Sequence, residues 1–338
     1  MQPIRLGVIG AGLIWQRAHK NILETLTDTF QPIAFCDLSE ERRAAAAQAF
    51  PNATVLNDAD ALLALPDVDA VLVLTPLALN APTARAALIA GKDVIMEKPI
   101  ARSVAEGQEL ADTARRQGKR LVVTEQMGYR QAEDTLAELL GGGAIGDVVL
   151  WERVQHLEAD SAKGALRYDT TPWRKQADFP LGTMFDGGIH LIAGLTKVFG
   201  TPQNVAASGR KLRQEYGEYD HIAALFEYAN GARGMLSYSN YLLPVQNHFH
   251  IYGTAGMLTV ERDRIVVAVP DQPDRIVETP VEHAYAVMWQ AIAAAFRERH
   301  MPFYTPEKAL QDVAILEAVD QAIKTGGRAS VEVVDRTV

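Results

Sequence analysis

Three short groups of residues carry side chains that can do chemistry at a meaningful spacing. Glu97-Lys98-Pro99 follows an apolar run at 94–96. An ammonium at the end of a strand can stabilise an oxygen that is losing its proton, and Pro99 holds residue 98 extended. A lysine after a strand is otherwise a surface residue, so this tripeptide alone decides nothing. Asp186-Gly-Gly-Ile-His190 sets a carboxylate and an imidazole four residues apart, a spacing that puts both on one helical face. A carboxylate beside an imidazole fixes its tautomer and raises its basicity, as a general base requires. Gly187 and Gly188 cost helix stability and clear room for a body approaching the helix. That combination favours a base over a satisfied core histidine.

The third group is Gly7-Val8-Ile9-Gly10-Ala11-Gly12, between the first strand and the first helix. Gly10 permits a tight turn. Gly12 lets the backbone approach a pyrophosphate, and the following helix offers free N–H groups and its dipole. Asp37 stands 25 residues after Gly12, at the end of the second strand. A carboxylate there accepts hydrogen bonds from ribose hydroxyls and repels a 2′-phosphate. NAD is therefore favoured over NADP, with Arg42 and Arg43 one helical turn on keeping NADP open. Trp15 occupies the place where a third small residue would let helix and strand pack closely. It predicts a locally shifted helix or an indole over the cofactor mouth.

These groups need a scaffold, and the apolar pattern supplies one. Over the first ~125 residues short apolar runs alternate with helical patterns, as in a parallel sheet wrapped by helices. Strands are predicted at 4–9, 33–36, 70–74, 94–96 and 121–124, and helices after the glycine turn to about 26, from Ser39 to before Pro51, at 58–65, at 82–90 and from Ser103 onward. Ser103 and Glu106 form a capping-box pattern. Beyond residue 125 the pattern changes to a helix at 132–140, a strand at 147–156, a polar stretch at 158–181 containing Trp173-Arg174, and a helix from Asp186 to Phe199. Six strands between 205 and 269 are separated by Gly, Asn or Asp and read as an antiparallel meander. Two helices, at 284–299 and 307–324, close the chain. The reading is α/β: an N-terminal Rossmann domain, a doubly wound parallel sheet, over 1–125, and a C-terminal α/β domain with a large, mostly antiparallel open sheet over 126–338.

With 338 residues, 48% of them apolar and 22% charged, the chain suits two globular domains. A formal charge of −9 argues against nucleic acid as a partner, because a sequence-independent grip needs a basic face. No apolar run reaches the ~20 residues of a membrane span, and the first strand leaves no room for a signal peptide. The single cysteine, Cys36, cannot form an internal disulfide and suits a reducing, cytoplasmic setting. It reads as a small core hydrophobe. No metal site is expected: His248 and His250 alternate on a strand, but no carboxylate or cysteine is grouped with them.

Taken in order, the glycine turn, Asp37, Thr75-Pro76, Gly91-Lys92-Asp93-Val94 before Glu97-Lys98-Pro99, Tyr129-Arg130, Trp173-Arg174 and Asp186 to His190 resemble the glucose–fructose oxidoreductase, inositol dehydrogenase and rhizopine-catabolism (Gfo/Idh/MocA) family over essentially the whole chain. The resemblance implies an NAD(P)-dependent oxidoreductase acting on a sugar, cyclitol or related polyol. It implies that Lys98 and His190, assisted by Asp186, are catalytic. It also implies that Gly10, Gly12, Leu13, Ile14, Asp37, Thr75, Pro76, Asn80, Glu97, Lys98, Gln126, Trp173 and Arg174 line the cofactor. Tyr129, His156 and Tyr285 are candidate substrate contacts. The sheet's outer face is the expected subunit contact of a homodimer or homotetramer. Two positions depart from the family pattern: Asn80 stands where histidine commonly follows Thr-Pro, and Gly194 where an aspartate often follows the catalytic histidine by four. The former should alter cofactor contacts; the latter bears on substrate class.

The expected reaction is alcohol oxidation, in which His190 takes the hydroxyl proton, Lys98 steadies the oxygen, and both converge on one nicotinamide ring. Two other readings stand beside it. One is a non-catalytic dinucleotide sensor, against which the intact Lys98, Asp186 and His190 speak. The other is a glycosidase that keeps NAD bound and oxidises only transiently; it would release free sugar without net NADH.

Overall fold

The computed structural model describes residues 2–158, 171–279, 281 and 283–334. Half of the 158–181 stretch, residues 159–170, lies outside that range. The described chain divides into two compact units, residues 1–126 with 283–310, and residues 127–282 with 311–338. The segment 283–310, read from sequence as part of an uninterrupted C-terminal domain, thus clusters with the N-terminal unit.

The first unit is built on a six-stranded parallel sheet of order β3-β2-β1-β4-β5-β6. Its strands are β1 (Ile4–Ile9), β2 (Phe30–Cys36), β3 (Thr54–Leu56), β4 (Ala70–Val73), β5 (Asp93–Glu97) and β6 (Leu121–Thr124). Every residue of β4 and β6 is buried, as befits strands covered on both faces. The helices between them are α1 (Lys20–Leu23), α2 (Glu40–Ala49), α3 (Ala59–Leu63), α4 (Leu77–Ile89) and α5 (Val104–Gln117). The expected caps form: Ser39 Oγ accepts from Arg42 N, and Ser103 Oγ from Glu106 N at 3.1 Å. Lys92, part of the motif before β5, donates to the carbonyls of Leu65 and Val68 at 2.8 Å each. Its ammonium secures the loop before β4 and plays a structural part.

Strand order places the reversal of winding between β1 and β4, the crevice where open α/β sheets bind ligands. Residues 10–12, Asp37, Thr75-Pro76, Lys98 and Gln126 all follow the carboxyl ends of strands of this sheet. Here the sequence pattern and the topology agree, because each apolar run ends where its strand leaves the core.

The second unit carries a nine-stranded sheet of order β14-β13-β12-β11-β7-β10-β9-β8-β15. Its strands are β7 (Val148–His156), β8 (Asn204–Arg210), β9 (His221–Glu227), β10 (Arg233–Ser239), β11 (Gln246–Gly253), β12 (Met257–Val260), β13 (Arg264–Ala268), β14 (Arg275–Glu278) and β15 (Arg328–Ser330). The expected simple meander is broken in one place. β7 inserts between β10 and β11, parallel to the first and antiparallel to the second. On one face Trp151 of β7 stacks on Phe199 at 5.6 Å, the last residue of α8 (Ile189–Phe199). That face is covered by α8 and α6 (Gln131–Gly141). The opposite face exposes Leu225, Met235 and Ile276, which alternation and register align on one side. Three short strands, β3, β14 and β15, have no counterpart in the sequence reading. A four-residue α7 (Pro172–Lys175) lies in the 158–181 stretch, and the second unit also holds the 311–325 portion of α10 (Pro306–Thr325). The remaining helix, α9 (Ala284–Glu298), belongs to the first unit.

Candidate active site

Gly10 has φ +97°, and a Cβ there would lie 2.6 Å from the carbonyl oxygen of Leu74. Only glycine meets both demands. At Gly12 an added Cβ would come 3.3 Å from Arg42 Nη1, so a side chain there would crowd the guanidinium that borders the turn. The helix begins at Leu13, which leaves its first N–H groups without intrahelical acceptors. An anion-binding cradle of backbone groups is therefore present, and it fits the pyrophosphate of a dinucleotide.

Asp37 is more than an exposed acid at a strand end. Its carboxylate is 8% exposed and accepts from Ala11 N at 2.9 Å through Oδ2 and from Ser39 N at 2.8 Å through Oδ1. It clamps the glycine turn to the end of β2, with lone pairs left for a ribose. Arg42 Nη1 lies 3.6 Å from the same carboxylate, while Arg43 donates to the backbone carbonyls of Asp37 and Leu38.

Trp15 resolves into one of its two expected forms. The helix is shifted: Trp15–His19 is a π-turn leading into α1. The indole does not cover a cofactor mouth. It is 1% exposed and packs edge-on against Phe35 at 5.3 Å and beside Phe50 at 6.0 Å. The widened turn accommodates a bulky ring where close helix–strand packing would need a small residue.

Lys98 directly follows β5 and is half-buried, and its peptide bond to Pro99 is cis. Asn80 is buried and bridges two strand ends: Thr75 Oγ1 donates to Asn80 Oδ1 at 2.9 Å, and Asn80 Nδ2 donates to the Glu97 carbonyl at 3.3 Å. The side chain of Glu97 is 7% exposed and meets His19 Nε2 at 3.0 Å. His19 in turn accepts from the indole N–H of Trp289 at 2.9 Å. His19 and Trp289 are candidates that the sequence alone does not mark. They lie 270 residues apart, and no local pattern signals their meeting.

In the second unit, Trp173 and Arg174 sit on α7. The Arg174 guanidinium lies 4.0 Å from the Trp173 ring centre and donates through Nε to Asp186 Oδ2 at 2.5 Å. Asp186 does not lie on a regular α-helix: Met184–Gly188 is a second π-turn, continued by α8 with His190 in its first turn. The simple four-residue face relation of Asp186 and His190 is therefore altered, and the carboxylate is fixed by arginine. Gly187 and Gly188 serve the protein itself. A Cβ at Gly188 would collide with Met184 Sδ, and one at Gly187 would lie 2.9 Å from Tyr238 Oη. π-turns of this kind concentrate at working sites, and His190 remains half-buried.

Gly194 lies one helical turn beyond His190. A Cβ there would be 3.5 Å from Glu133 Oε1 of α6, so a carboxylate from a neighbouring helix borders the position at ordinary contact distance. Burial pushes the Glu133 carboxyl above its usual range, against the pull of Arg130. Burial likewise lowers Arg153 to about 10, and its guanidinium lies 5.0 Å from the Phe249 ring centre. Neither Glu133 nor Arg153 was singled out in sequence.

The candidate substrate contacts fare differently. Tyr129 is buried at the end of a 3₁₀ turn, Gln126–Tyr129. Tyr285 lies edge-on to His19 at 5.6 Å. His156 is displaced from its expected role. Strand alternation puts it on the face opposite Trp151 and α8, where it hydrogen-bonds Ser237 Oγ at 2.9 Å. The sheet thus separates it from His190.

Residues 4–125 match the model of an oxidoreductase family with an NAD-binding Rossmann fold, and residues 134–259 match the C-terminal domain model of the same family. The chain belongs to the Gfo/Idh/MocA family. Similar Gfo/Idh/MocA proteins include the scyllo-inositol 2-dehydrogenase (NADP(+)) of Bacillus subtilis, 24% identical across 96% of this chain and 95% of the relative. The D-glucoside 3-dehydrogenase of Escherichia coli is 28% identical across 64% of this chain and 62% of its own. An oxidoreductase of Thermotoga maritima has the same fold, with a TM-score of 0.90 at 28% identity over 97% of this chain and 98% of that one. Of the two positions that depart from the family pattern, Asn80 bridges two strand ends, and Gly194 faces Glu133 of α6.

Proposed function

We propose that this chain is an NAD-dependent dehydrogenase that oxidises a hydroxyl of a sugar, cyclitol or related polyol. The observation that carries the reading is the placement of Lys98 at the carboxyl end of β5, on the same sheet edge as the Gly10–Gly12 cradle. Relatives named for inositol and glucoside dehydrogenation support the substrate class.

In this reading the glycine turn and the N-terminus of the following helix hold the pyrophosphate, and Asp37 the adenine ribose. Bound NAD supplies the hydride acceptor. Lys98 stabilises the substrate oxygen as its proton leaves, and His190 receives that proton. Arg174 holds Asp186, and with it the π-turn that leads into α8, whose first turn carries His190. A carboxylate as enclosed as Asp37 favours NAD, and the nearby Arg42 is the residue through which NADP would enter. Residues 127–282 and 311–338 form the substrate and assembly domain. The exposed apolar face of the nine-stranded sheet, with Leu225, Met235 and Ile276, is the subunit contact of a homo-oligomer. Buried, unpaired Cys36 suits a cytoplasmic setting. Among the described residues no helix is long and apolar enough to cross a membrane.

The test is NADH formation across scyllo- and myo-inositol, methyl glucosides, free hexoses and sugar acids. Turnover of at least one of these is expected. Lys98→Ala and His190→Ala should each lower kcat by roughly 100-fold or more while NAD still binds. Wild-type turnover in either variant would remove that residue from its role. Release of free sugar from a glucoside without net NADH would favour a hydrolase.

A further inference from the structure

We infer that His19 is a positioning residue for the Glu97–Lys98 strand end, set in one tautomer by Trp289. The inference rests on the reading of Lys98 given above. His19 is fully buried, and its two ring nitrogens have different partners. An indole N–H can only donate, so the 2.9 Å contact from Trp289 Nε1 makes Nδ1 an acceptor. The ring proton therefore sits on Nε2 and is donated to Glu97 Oε1 at 3.0 Å.

The aromatic surroundings hold this arrangement. Tyr285 and Trp289 stand edge-on to the imidazole, at 86° and 87°. Phe30 packs edge-on against the indole at 5.5 Å, and Trp289 is fully buried. Glu97 is consequently anchored twice. Its carboxylate is held by His19, and its carbonyl by Asn80 Nδ2 at 3.3 Å. The next residue is Lys98, whose backbone departs from a point fixed on both sides. A buried carboxylate needs hydrogen-bond partners, and a lysine that meets a developing charge must be preorganised.

The placement of His19 adds a second consequence. It closes the π-turn that begins just after the glycine cradle. One short helix thus carries the phosphate-binding turn at one end and the support of Lys98 at the other. Trp289, on α9, makes the segment 283–310 part of that support.

The test uses the full-length protein with ¹⁵N-labelled histidine, read by long-range ¹H–¹⁵N correlation, together with kinetics. The His19 signal, identified by its loss in His19→Gln, should show a protonated Nε2 and a bare Nδ1. Trp289→Phe should abolish that fixed pattern. His19→Leu should lower kcat by about 10- to 100-fold with the KM for polyol changed less than about threefold. His19→Gln, whose amide can still donate to Glu97, should recover most of the lost rate. Turnover is measured with NAD and whichever panel polyol yields NADH. A proton on Nδ1, a spectrum unchanged by Trp289→Phe, or a His19→Gln enzyme no faster than His19→Leu would overturn the inference. Should His19→Leu fail to fold, the spectra and the glutamine variant decide. Lys98→Ala with full turnover would instead refute the reading of Lys98, leaving the tautomer to be judged by its own spectrum.

Discussion

Gly10 and Gly194 are both glycines near the candidate chemistry, and they should respond to substitution in opposite ways. Gly10→Ala forces a side chain into a positive-φ position against the Leu74 carbonyl. Strain of this kind costs about 1–3 kcal/mol, so a lower urea midpoint and a loss of NAD affinity are expected together. At Gly194 an added methyl group meets Glu133 at an ordinary contact distance. Gly194→Ala should be neutral or stabilising by up to about 1 kcal/mol through helix propensity. Gly194→Asp should be destabilising, because it brings a second carboxylate to one that burial already holds above its usual range. Urea unfolding of the two variants separates them; equal midpoints would show that Glu133 does not act on a carboxylate placed at 194. The same positions mark what can be read from residues alone. The glycine turn announces itself, because a φ demand selects one residue type. The partnership of Gly194 with Glu133 does not, because it joins different helices and leaves no trace in spacing.

At the scale of elements, two features of the second unit give measurable outcomes. Arg174 combines a paired contact to Asp186 with stacking on Trp173, a geometry that lysine cannot reproduce. Arg174→Lys should loosen the Met184–Gly188 turn and lower kcat by up to about 100-fold with little change in the unfolding midpoint. The sheet face opposite α8 holds the other feature. His156 and His221 both hydrogen-bond Ser237, at 2.9 and 3.1 Å. Burial first, and then a neighbouring histidine, lower both below the ordinary value of 6.5. Between the lowered folded value and 6.5 the unfolded chain binds more protons, so stability is complete above about 6.5 and declines as pH falls through that window. His156→Gln and His221→Gln should flatten the decline in urea midpoint between pH 7 and 5. An unchanged slope would deny these imidazoles a part in it. Strand existence was legible from alternation here, but strand placement was not. β7 enters between β10 and β11 through pairings distant in sequence, and β3, β14 and β15 are too short to give a period. A spacing of four puts Asp186 and His190 on one face only in a regular helix, and the Met184–Gly188 π-turn departs from one.

The whole molecule joins a nucleotide sheet whose architecture is written in its apolar runs to a second sheet whose contacts are mostly long-range. The segment 283–310 shows the boundary of sequence reading most clearly. Its helical pattern is plain, yet its membership in the first unit depends on Trp289 reaching His19 and on Phe296 meeting Phe30 at 5.4 Å. A site intact at the level of the fold should bind NAD before any substrate is known. NAD at about 100 times its dissociation constant should stabilise the protein by about 2.7 kcal/mol, and Lys98→Ala and His190→Ala should retain that gain. The central claim is hydride transfer from a polyol carbon, and the most direct measurement follows that hydrogen. With NAD and the panel polyol that yields NADH, deuterated at its hydroxyl-bearing carbons, the reduced cofactor should carry one deuterium at nicotinamide C4, with a slowed turnover in the wild type. Unlabelled NADH, or consumption of the polyol without any reduced cofactor, would contradict the account.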